Sequence, residues 1–218
     1  MVAVAGLGLA CYGLVIKNEA QTLLNDVTAL RIGSATAKQV QRVEQRQKRY
    51  LVSQHCDGEV CTTTFEVLNR WLAAMRLEPP ATFRVELTLK AGTVTQISLS
   101  LGRAMPIFPS FPASAGLVYE YAEIPPALVG DREGHYLFKT PVGKPYLQVV
   151  LDSQASSVQR EHAFGFSFRC LVKPGWGCDL PCDYLPLAWQ DWKLYVQQSG
   201  FPMSDFNRSY PNNNRCKP

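Results

Sequence analysis

The sequence is poor in groups that do chemistry near neutral pH. It has three histidines, His55, His135 and His162, in 218 residues. It contains no H-E-x-x-H, no P-loop, no G-x-S-x-G elbow and no G-x-G-x-x-G set between a strand and a helix. Those absences remove the sequence grounds for a zincin, a P-loop NTPase, an α/β-hydrolase and a dinucleotide-dependent enzyme. No C-x-x-C pair occurs either, so a thioredoxin-like redox centre is not indicated. Charge is sparse at 18%, and Lys plus Arg exceed Asp plus Glu by only 22 to 18, too small a surplus to imply a nucleic-acid partner.

What is present is apolar material and cysteine. Hydrophobic residues make up 46% of the chain, enough to bury a core. The first sixteen residues, MVAVAGLGLACYGLVI, carry no charge before Lys17. A bilayer-spanning helix needs about 20 apolar residues and at least about 17. We expect residues 1–17 to be a membrane anchor or signal, with a buried core helix as the alternative. The rest of the chain would then lie outside the cytoplasm, periplasmic or at the cell surface. Six further cysteines follow: Cys56, Cys61, Cys170, Cys178, Cys182 and Cys216. In an oxidising compartment an even count reads as disulfides. Structural zinc favours C-x2-C, occasionally with up to four intervening residues, so C-x4-C, C-x7-C and C-x3-C are not a strong signature, although four ligands could be drawn from them with His55 in reserve. Asp57-Gly58 offers a turn between Cys56 and Cys61, which should place their Cα atoms about 4.4 to 6.8 Å apart. Cys170 would close a loop with Cys178 or Cys182, the third thiol being left for Cys216. No metal or cofactor is expected.

Periodicity supplies the elements. Leu23, Leu24, Val27 and Leu30 have helical spacing over residues 19–31, and Thr36 with Gln39 forms a capping-box pair that starts a second helix to about Arg49. The basic run Gln41 to Arg49 reads as the solvated face of that helix. Residues 61–67 predict a strand, and 69–77 a short helix capped by Asn69. Phe83, Val85, Leu87 and Leu89 alternate with polar residues, then Ala91-Gly92 turns the chain into a second alternating run through Ile97, Leu99 and Leu101. This is a β-hairpin with one buried face. Three prolines between positions 106 and 112 read as a connector. Strands are predicted at 118–124, 136–140, 146–152 and 163–172, the last with Phe164, Phe166 and Phe168 on one face. A helix over 185–198 brings Trp189, Trp192 and Tyr195 together, either packed on the sheet or exposed as a protein-partner surface.

Two resemblances rest on particular residues. Leu30, Gly33, Thr36 and Val40 in LRIGSATAKQV resemble the small outer-membrane lipoproteins of the β-barrel assembly machinery. Over residues 20–101 that resemblance implies two helices packed on a small antiparallel sheet. The pairs Cys56/Cys61 and Cys170/Cys178, with Leu185-Pro186 and Trp189, are similar to uncharacterised bacterial envelope proteins, which implies a location and no activity.

The expected fold is α+β. It comprises an apolar anchor (1–17), a helix–helix–sheet module (18–102), a β-rich subdomain with a Cys-rich loop and C-terminal helix (103–199), and an irregular tail (200–218). The expected function is a non-catalytic, membrane-tethered structural or interaction module of a bacterial envelope. The alternative is a hydrolase or thiol-dependent enzyme using His135 or His162, for which a neighbouring Ser, Cys or carboxylate in a cleft would be required.

Overall fold

A computed structural model describes residues 2–70, 81–104, 112–129, 135–139, 146–172, 178 and 180–198. The fold is α+β, and its helices pack on one continuous seven-stranded sheet ordered β1-β2-β3-β4-β5-β7-β6. The strands are β1 (Leu51–Asp57), β2 (Val60–Leu68), β3 (Ala81–Lys90), β4 (Thr93–Ala104), β5 (Pro112–Tyr121), β6 (Tyr136–Lys139) and β7 (Tyr146–Asp152). All neighbours are antiparallel except β5 and β7, which run parallel. Residues 102 and 103, the expected boundary, lie within β4, which pairs with β5 from Gln96↔Tyr121 to Arg103↔Ser114.

Strand alternation decides which side is dry. Phe65 and Val67, Phe83 to Leu89 in steps of two, Ile97, Leu99, Leu101, Val118, Leu147, Val149 and Leu151 all point into the core. The opposite face carries Arg84, Glu86, Thr88, Gln96, Ser98 and Ser100, which are half-buried or exposed. The predicted 83–101 hairpin is present in the expected register, with Lys90 opposite Thr93 across the Ala91-Gly92 turn.

The core face is covered by α1 (Val2–Thr28), α2 (Ala37–Arg46), α4 (Ser157–Ala163), α5 (Arg169–Val172) and α6 (Pro186–Gln198); a further short helix, α3 (Pro126–Val129), follows β5. The apolar start and the 19–31 helix, expected as separate elements, are a single helix of 27 residues. Its second half places Ile16, Ala20, Leu23, Leu24 and Val27 in the core. These positions follow an i, i+4, i+7, i+8, i+11 stripe, so this half is held by the sheet. Among the described residues no helix is long and apolar enough to cross a membrane. The expected spanning anchor is corrected to that extent, because beyond Ile16 the apolar residues of α1 serve the core and Lys17, Asn18 and Glu19 interrupt the run.

Thr36 caps α2 as its spacing predicts, with Gln39 Oε1 accepting from the Thr36 N–H at 2.8 Å. The basic run is solvated and partly paired: Arg46 of α2 meets Asp26 of α1 at 2.7 Å, and Arg49, in the 3-10 turn Lys48–Tyr50 that follows α2, pairs with Glu19.

The strand expected at 163–172 is not one. Ser156 caps α4 through Gln159, the helix runs to Ala163, and α5 begins at Arg169. The three phenylalanines between are buried as expected, but on an irregular crossing whose Ser167 N–H bonds Tyr184 O at 2.8 Å. Phe166 and Phe168 pack edge-on to Phe83 at 5.6 and 4.8 Å between centroids. Alternating burial can thus arise from a loop laid across a sheet, without ladder bonds. The expected helix at 69–77, apart from its first two residues, the proline connector apart from Pro112, and the tail with Cys216 lie outside the described residues.

Candidate functional site

Oxidised cysteines mark two points of the fold. Cys56 and Cys61 are directly opposed across the β1–β2 hairpin and form a disulfide with Cα atoms 4.0 Å apart. That is below the range of about 4.4 to 6.8 Å expected of a disulfide. Gly58 turns the hairpin at φ +57, a value glycine adopts without penalty. Cys170 pairs with Cys178, Cα atoms 5.9 Å apart, which selects between the two partners left open by sequence. Cys182 is disulfide-bonded as well, to a partner outside the described residues. These sulfurs are therefore not thiolates that a metal could take. Cys11 on α1 is a free, exposed thiol.

The histidines are separated. His55 is exposed on β1. His135 Nδ1 lies 2.7 Å from Asp152 on the surface. His162, at the end of α4, is the one drawn into a network. Its Nδ1 is 2.8 Å from Asp191 Oδ2 of α6, and the Tyr136 hydroxyl of β6 donates to the same oxygen at 2.9 Å. Burial first, then the Asp191 charge beside it, pushes the Tyr136 phenol well above its usual range and keeps it a neutral donor. Asp191 thereby orients an imidazole, as a carboxylate does in an acid/base pair. Neither of the two large clefts described below is lined by His162.

A second buried cluster escaped the sequence reading. Glu120 stands in the inward row of β5, where alternation from Val118 calls for an apolar residue. Arg160 of α4 grips it with two contacts, Nε–Oε1 at 2.5 Å and Nη2–Oε2 at 2.8 Å. The same guanidinium donates to Thr28 O and Leu30 O, both at 3.2 Å, and so closes the C-terminal end of α1. All these groups satisfy one another, which makes the cluster a clamp between α1, β5 and α4.

Trp189 and Trp192, expected on a partner surface or in the core, are 1% and 7% exposed. They lie 4.7 Å apart between ring centroids, and Tyr195 packs beside Phe138. α6 turns the two tryptophans inward, as in the packed reading, and leaves Tyr195 half-buried.

Two clefts remain. One, of about 460 Å³, lies between α1, α4 and α6 and is bordered by Asn25, Arg31, Ser157, Arg160 and Leu187. The other, of about 500 Å³, sits where α1 passes the start of β1, and is bordered by Tyr12, Val15, Glu19, Arg49, Tyr50, Val52 and Arg70. No protein-family model, curated protein or solved structure matches the chain.

Proposed function

We propose that the chain is a non-catalytic, extracytoplasmic structural or interaction module of a bacterial cell envelope, tethered to a membrane through residues 1–17. The observation that carries this reading is the oxidation of five cysteines, Cys56, Cys61, Cys170, Cys178 and Cys182, at points that fix a hairpin and a loop. Such bonds persist outside the cytoplasm and are reduced within it. The apolar half of α1 continues directly from the half rooted in the core, so a tether there would hold the sheet rigidly at the membrane. The polar networks of Arg160 and Asp191 join elements to one another, which is a scaffold's use of charge.

Fractionation tests the reading. The full chain expressed in a bacterial envelope should stay with membranes through a high-salt wash and be degraded by protease added outside the inner membrane. Recovery in the cytosol with free thiols at positions 56 and 61 would sink it.

The second reading, an enzyme using His162, is favoured by the Asp191–His162 pairing alone. A hydrolase screen comparing the native chain with His162→Gln decides it: activity lost in the variant with unchanged folding supports the enzyme.

A further inference from the structure

The cleft at the root of α1 combines exposed aliphatic, tyrosine and cationic side chains. Leu14, Val15 and Val52 are 61%, 49% and 62% exposed. Val15 and Val52 line the cleft, and Leu14 adjoins Val15 on α1. Tyr12 and Tyr50 are half-buried in its walls. Arg49 and Arg70 stand at its border, and Lys17 and Lys48, both exposed, are sequence neighbours of its lining residues. Of its two carboxylates, Glu19 is engaged by Arg49 and the Tyr50 hydroxyl, while Glu66 lies opposite Arg84 in the β2–β3 register. The cleft opens because β1 begins at Leu51↔Phe65, leaving Glu66–Leu68 of β2 with no β1 partner.

We propose that this face of the folded domain lies on the bilayer surface and takes anionic lipid headgroups in the cleft. The proposal rests on the membrane reading above and names the surface that meets the membrane. Exposed aliphatic side chains mixed with tyrosine and long cationic side chains fit the interfacial layer. There the apolar bodies enter the acyl boundary, phenol hydroxyls stay with the headgroups, and Lys and Arg reach the phosphates. Continuity decides between a lipid and a protein occupant. The apolar residues 2–11 lie on the same helix as Val15, so the solvent that receives that stretch also meets the cleft. A surface contact of this kind needs no helix that crosses.

Two experiments on the full chain test the proposal. In the first, Val52→Cys and Val158→Cys variants are bound to vesicles of phosphatidylcholine with phosphatidylglycerol. They are then alkylated with a membrane-impermeant maleimide and read by peptide mass spectrometry, so that Cys11 is scored apart. Val158 is also exposed, but lies on α4 away from the cleft. The thiol introduced at position 52 should label much more slowly than the one introduced at position 158. Equal rates on bound protein overturn the proposal and leave the tether standing; protein that does not bind vesicles overturns both. In the second experiment, Arg70→Gln should lower partitioning into the anionic vesicles about fivefold, the contribution of one cation near such a surface. Partitioning unchanged by that substitution, or equal on phosphatidylcholine alone, overturns the proposal.

Discussion

Single residues decide the turns and the close approaches. Ala91 precedes Gly92 in the β3–β4 turn, and both have positive φ, +50 and +77. A two-residue turn of this shape favours Asn-Gly, since an alanine there carries the left-handed penalty. Ala91→Asn should therefore stabilise the protein by about 0.5–1 kcal/mol, read as a higher urea midpoint with unchanged slope. Gly116 is constrained differently: a Cβ there would meet Leu185 Cγ at 2.6 Å, against the start of α6. Gly116→Val should cost about 1–3 kcal/mol through overpacking, measured by the same titration. Tyr136 governs the alkaline limb. Its folded-state value is raised above the ordinary 10.0, so the stability tied to its neutral phenol is complete below about pH 10 and is lost as pH rises further. Tyr136→Phe should make stability above pH 10 fall less steeply while costing about 1 kcal/mol at pH 7 for the lost bond to Asp191.

At the scale of elements, the Arg160–Glu120 clamp and the disulfides are the fastenings. Glu120 is 3% exposed and Arg160 13%, so removing one partner leaves an uncompensated charge in the core. Arg160→Met should cost about 3–5 kcal/mol, whereas Arg160→Met with Glu120→Leu should recover most of it. A double-mutant cycle by thermal melting gives the coupling, and additive costs would show that the clamp is not one unit. The Cys56–Cys61 bridge closes only a short loop, so replacing both residues by serine should cost about 2 kcal/mol, toward the low end for disulfides. Intact mass before and after reduction checks that the bridge is there to remove.

These fastenings also show what was legible. The hairpin, the Thr36 cap and both disulfide clusters could be read because each is encoded within a few residues: period-two alternation, a cap three residues from its glutamine, and paired cysteines around a turn. Glu120 was visible as a charge in an apolar register, but nothing local named Arg160, forty positions on, as its partner. Strand β1 gave no signal, since six of its seven residues are exposed and carry no alternation.

The whole molecule is one sheet with a dry face and a polar face, and one long helix that enters the core halfway along. Sequence by itself determined the class, the elements with strong periodicity and the Cys56–Cys61 pair, because those depend on short-range sterics and on which side of a strand an apolar residue falls. Tertiary structure decided the rest. It joined the anchor and first helix into one element, because the stripe from Ile16 to Val27 finds the sheet without a break. It turned Trp189 and Trp192 inward, laid Phe166 and Phe168 against Phe83 of β3 on a loop, and brought His162 to Asp191 and Arg160 to Glu120. Each of those outcomes is a contact between residues remote in sequence. Their energies come from burial and desolvation, which exist only once the sheet has formed, so no local pattern in the chain could carry them.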